Sequence, residues 1–114
     1  MYTPEKIIYE MDYMYFKDFL PDEAINPLAK ALSYLPENIV DFVIEKCVFV
    51  SSDKKDRGEY IARNDFRLKS KRGLIILSNK LWSKKEKRIA FVIAHEVAHL
   101  YKRHGFRRIE DTED

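Results

Sequence analysis

The stretch that most constrains this chain is residues 89–105, IAFVIAHEVAHLYKRHG, which holds all three histidines of the sequence, His95, His99 and His104. An apolar run followed by polar groups at fixed spacing must bury its apolar side while satisfying the polar groups. As a helix, the stretch sets His95 and His99 about 40° apart on one face, because residues four apart are neighbours on consecutive turns. Glu96 is rotated about 100° from His95. The run IAFVIA is apolar on all sides, which predicts a buried helix rather than one lying on the surface.

Residues 95–99, HEVAH, form the HExxH pattern. Two imidazoles on one face can reach one metal ion, and Glu96 stands beside that ion rather than on it. There it can take a proton from a metal-activated water. Zinc suits two imidazoles plus a carboxylate, with a fourth position open for the water. The bland alternative is a satisfied pair of core histidines with Glu96 in an ion pair, which such an apolar helix makes costly.

The third ligand is less determined. His104 lies half a turn away from His95 on an unbroken helix, so it is not expected to bind the same ion. Gly105 suits a C-terminal cap. From His99 to that cap is about 7–8 Å, and five extended residues retrace up to ~16 Å, so Glu110 is within reach after a turn. If the tail is helical, Glu110 and Asp114 share a face, and Asp114 can accept a hydrogen bond from a ligating histidine. Glu113 competes with Glu110. The alternative reading of EDTED is a frayed charged tail.

The rest of the chain reads as helices, then a small sheet. Thr3 followed by Pro4 looks like a cap with proline in the first turn. A first helix follows, with Ile7, Ile8, Met11, Met14, Tyr15 and Leu20 at helical spacing. PDEAINPLAKALSYL predicts a second helix with Pro27 as an internal kink or break. PENIVDFVIEK predicts a third, to about residue 46, and CVFVSS a strand. EYIAR (59–63) and LIILS (74–78) read as further strands. Ser83 with Glu86 three residues on looks like a capping box opening a helix over 84–104. This order predicts an α+β fold with a three-stranded sheet.

At 114 residues the chain is long enough for one core and too short to divide, so residues 1–114 read as a single domain. No apolar run reaches the ~20 residues needed to span a bilayer, and MYTPEKIIYE lacks the apolar segment of a secretory signal. A lone cysteine, Cys47, cannot form an internal disulfide, which points to a reducing cytoplasm. The net charge of +2 conceals a basic stretch over 54–108 between acidic ends. Its clusters RLKSKR, KKEKR and KRHGFRR, near Phe66, Trp82 and Phe106, give a second reading as a binding module without turnover that contacts nucleic acid. That reading ranks lower, because two of the clusters flank the motif helix, where solvation alone explains them.

VIAHEVAHLYKRHG resembles the motif helix of gluzincin-type zinc metallopeptidases, and more narrowly that of the soluble minigluzincins, single domains of about this length. The resemblance covers roughly residues 73–105. It implies a zincin-like fold and a zinc-dependent endopeptidase acting on a peptide or protein substrate. His95 and His99 would be ligands, Glu96 the general base, and Zn2+ the cofactor. It also implies a ligating glutamate downstream, often within ExxAD. EDTED lacks that alanine, so the third ligand is Glu110, Glu113 or a residue beyond this chain, the last if the sequence stops before the glutamate helix. An extended substrate would lie along the edge strand near Leu74–Ser78 by strand addition.

Overall fold

The computed structural model describes residues 1–11, 20–51 and 73–110, the last eight by backbone alone. Helix α1 spans Pro4–Glu10, and Thr3 Oγ caps it by accepting from the Lys6 N–H at 3.2 Å. Proline opens the helix at no hydrogen-bond cost, because the first N–H groups have no partner there. Helix α2, Asp22–Ser33, carries Asp22 and Glu23 in its first turn and Lys30 in its last, both matched to the helix dipole. Pro27 lies inside α2 without ending it. The missing N–H leaves the Glu23 carbonyl to solvent, at an exposed position.

Helix α3, Glu37–Lys46, passes into strand β1, Cys47–Ser51, without a connecting turn. The backbone switches to extended geometry at Cys47, where a run of β-branched and aromatic residues begins. All five residues of β1 are buried, so both faces of the strand are covered. This explains why its sequence is apolar throughout rather than alternating. Strand β2, Gly73–Leu77, pairs with β1 in parallel, from Cys47 opposite Gly73 to Ser51 opposite Leu77. A 3-10 helix, η1, spans Asn79–Ser83 and leads to helix α4, Glu86–Glu110.

One hydrophobic core joins these elements. Ile7 of α1 and Met11 just past its end, Leu28 and Leu32 of α2, Val40 and Val43 of α3, Phe49 of β1 and Ile93 and Val97 of α4 all meet in it. Phe49 and Ile93 are fully buried, each contributing roughly 1.5–3 kcal/mol of transfer free energy. The main helix–helix layer is α2 against α4, with α1 against α2. At the end of β1, the buried Ser51 hydroxyl donates to Asn79 Oδ1 and accepts from Trp82 Nε1–H at 2.8 Å, tying β1 to η1. The fold is thus α+β, mostly helical, with a small sheet.

Several expectations need correction. Among the described residues the sheet has two strands rather than three, and the third expected strand, 59–63, lies outside them. The motif helix is not buried all round. Ile89, Ile93 and Val97 face the core, but Phe91 is 62% exposed, and His95, Ala98 and His99 are exposed as well. Only one side of α4 meets the core, so an apolar count along the run overstates its burial. The capping box is also absent. Ser83 Oγ donates back to the Lys80 carbonyl at 2.9 Å, and the first turn of α4 bonds to the carbonyl of Lys85 instead. Finally, α4 continues through Gly105 to Glu110.

Candidate active site

The helical geometry of α4 divides its side chains between two surroundings. The core side holds Ile89, Ile93 and Val97, and the outward side presents His95 and His99 one turn apart. Their Nε2 atoms approach to 3.1 Å, with ring centroids 4.5 Å apart and planes at 84°. Imidazoles this close either share a proton as donor and acceptor or aim both lone pairs at one cation. Tetrahedral zinc with Zn–N bonds of ~2.0–2.1 Å sets two nitrogens about 3.3 Å apart, so the pair fits such an ion with little movement. Phe91 stacks on the His95 ring at 6.1 Å and 15°, and the Arg88 guanidinium lies 5.9 Å from the Phe91 ring. This stack limits how freely the His95 ring can turn.

Glu96 points elsewhere. It is half-buried and lines a groove of about 310 Å³ between α4 and the β2–η1 segment. Ile76, Leu77, Leu81 and Val92 supply the apolar surface of this groove, and Lys80, Lys84 and Arg88 supply cations. Among the described residues no ion pair engages Glu96 or these three cations. A half-buried carboxylate without a partner, next to two convergent imidazoles, is available to a water or a substrate.

Position within the groove follows from how α4 meets β2. A Cβ on Gly73 would come within 2.3 Å of Leu100 Cδ2, so the start of β2 presses directly on α4 one residue past His99. Glu96, by contrast, shares the groove with Ile76 and Leu77 near the end of β2. The helix and strand therefore run in opposite directions, and the far edge of β2 has no paired strand among the described residues.

Of the residues expected in the site, the structure brings His95 and His99 together and sets Glu96 in the adjoining groove. It does not bring Glu110 near them. On the continuous helix, Glu110 stands about 16 Å along the axis from His99. Ligation by Glu110 requires α4 to open near Gly105. Glu113 and Asp114 lie outside the described residues. Among the described residues no third His, Cys, Asp or Glu completes the pair. Sequence reasoning missed the cationic side of the groove by taking KKEKR for a solvated cluster. The usable signal was the four-residue spacing of Lys80, Lys84 and Arg88 across the η1–α4 junction.

An α+β core that presents HExxH from one helix, with its imidazoles converging and its glutamate unpaired, matches the pattern of metal-dependent peptidases. The family comparison agrees. The model of peptidase family M48 matches residues 39–112, well over half of the chain, and the chain belongs to that family. The match takes in most of α3 and all of β1, β2, η1 and α4; of these, β2, η1 and α4 line the groove and α4 carries the histidines. No curated protein and no solved structure matches the chain.

Proposed function

We propose that this protein is a zinc-dependent endopeptidase of the soluble minigluzincin kind, a zincin-like single domain working in the cytoplasm. The observation that carries this reading is the 3.1 Å approach of the His95 and His99 nitrogens beside the unpaired Glu96. Membership of a metallopeptidase family supports it. Among the described residues no helix is long and apolar enough to cross a membrane.

His95 and His99 would hold the zinc through Nε2. The third ligand is a carboxylate, either Glu110 or Glu113 after α4 opens near Gly105, or one from beyond this chain. When bound, the zinc would supply Lewis-acid polarisation of the scissile carbonyl and of the attacking water. Glu96 would take a proton from that water and pass it to the leaving amine. The edge of β2 that has no strand partner among the described residues aligns an extended peptide by strand addition, with alternate side chains turned into the groove.

The test compares wild type with Glu96→Ala for zinc content and casein cleavage. One zinc per chain in both, with cleavage lost only in the variant, is expected. Equal cleavage by the two proteins rules out Glu96 as the base. Chelation should abolish wild-type cleavage, and added zinc should restore it.

A further inference from the structure

The groove beside Glu96 is polarised in a way that hydrolysis alone does not require. Its floor is apolar, from Leu77, Leu81 and Val92, while Lys80, Lys84 and Arg88 stand exposed along it. None of the three pairs with a carboxylate among the described residues. Three cations without a carboxylate partner among the described residues, set along an apolar trough, hold a positive potential that an occupant of opposite charge would neutralise. We propose that the groove binds extended peptides carrying an acidic side chain a few residues from the bond to be cut, so that the enzyme selects acidic segments of its substrates. This rests on the peptidase reading for where the cut falls, but not for what binds.

The geometry sets the register. Arg88 precedes Glu96 by two turns, which is about 12 Å along the helix axis. An extended peptide rises about 3.3 Å per residue, so an acidic side chain three or four residues from the scissile bond meets Arg88, with Lys84 farther along the groove. Residues between would turn alternately onto the apolar floor, which favours an aliphatic side chain there. Nucleic acid is the competing polyanion. It fits this groove less well because the floor is aliphatic and the carboxylate of Glu96 lies at one end.

The experiment uses the full chain carrying Glu96→Gln, with zinc present, and fluorescein-labelled ten-residue peptides. One has Leu-Val followed by Asp-Glu, a second has Lys-Lys in place of the acidic pair, and a third has Asn-Gln. Fluorescence anisotropy should show the acidic peptide binding about tenfold more tightly than the lysine peptide at low salt, with the gap closing at high salt. Lys84→Glu and Lys80→Glu, both at exposed positions, should remove or reverse the preference. Lys84→Gln provides a milder change, with circular dichroism checking the fold of each variant. Equal binding of the three peptides overturns the proposal, as does a preference that none of the variants alters. Displacement of the acidic peptide by a single-stranded DNA oligonucleotide that binds more tightly would assign the cations to nucleic acid and also overturn it. Wild-type cleavage assays separate the two readings. Charge preference without cleavage sinks the peptidase reading and leaves this one standing. Cleavage without charge preference sinks this one alone.

Discussion

Gly73 shows how one missing side chain sets the position of the motif helix. Any Cβ there would overlap Leu100, the neighbour of His99, and both Leu100 methyl groups and its Cγ lie within 3 Å of where it would stand. Gly73→Ala should therefore destabilise the fold by about 1–3 kcal/mol, the usual cost of overpacking a well-filled site. Urea unfolding measures this, and pairing the change with Leu100→Ala should recover part of the loss. Strictly additive costs would show that the two positions do not collide. Phe91 makes a different contribution. Its ring stacks on His95, and an aromatic pair of this kind is worth roughly 0.5–1.5 kcal/mol. Phe91→Ala should weaken zinc binding by about 2- to 10-fold while leaving thermal stability nearly unchanged, since the ring is exposed. Competition with a chromogenic chelator reads the affinity. The shared face of His95 and His99 was legible in the sequence because helical spacing fixes it. The Phe91 stack and the Gly73 contact were not, because they depend on rotamers and on which element packs where.

Between elements, the start of α4 is fastened to the end of α2. Glu86 pairs with Lys30 at 3.2 Å and accepts from the Tyr34 hydroxyl at 2.5 Å. The hydrogen bonds from Tyr34 and then Lys30 hold the Glu86 carboxyl below its ordinary value of 4.5. The Glu86 carboxylate in turn raises Lys30 above 10.5. Glu86 with a lowered value contributes stability above its unfolded pKa and loses it as pH falls through the folded one. Lys30 with a raised value contributes below 10.5 and loses it as pH rises through the folded one. Glu86→Gln should therefore lower the melting temperature slightly at neutral pH, and the difference should shrink as pH falls below 4.5 and again as it rises above 10.5. All three groups are solvent-exposed, so salt should also diminish it. A difference that persists at pH 2 would show that the fastening is not electrostatic. This same junction separates what the sequence reveals from what it hides. The Thr3 cap, the Pro27-containing helix and the switch to strand at Cys47 follow from local propensities and were readable. Ser83 was misread because the 3-10 helix before α4 draws its hydroxyl back to Lys80. The end of α4 was misread because glycine permits a cap without requiring one.

For the molecule as a whole, Cys47 reports on global opening. It is fully buried at the junction of α3 and β1, and burial pushes its thiol from an ordinary 9.0 up to about 12. At pH 8 only on the order of one thiol in ten thousand is then ionised in the folded state, so alkylation should proceed almost entirely through unfolding. Its rate should rise with urea in step with the unfolded fraction. Labelling that is rapid and independent of denaturant would mean that β1 breathes separately from the core. The same core fixes which way the chemistry looks. Because α2 and the sheet occupy one flank of α4, His95 and His99 look away from the protein's interior. An ion gripped there would trade freely with chelators and rival cations in the bathing medium. A long polypeptide laid across the rings would be its own lid, so cutting should speed up as substrates lengthen and the smallest peptides should be spared.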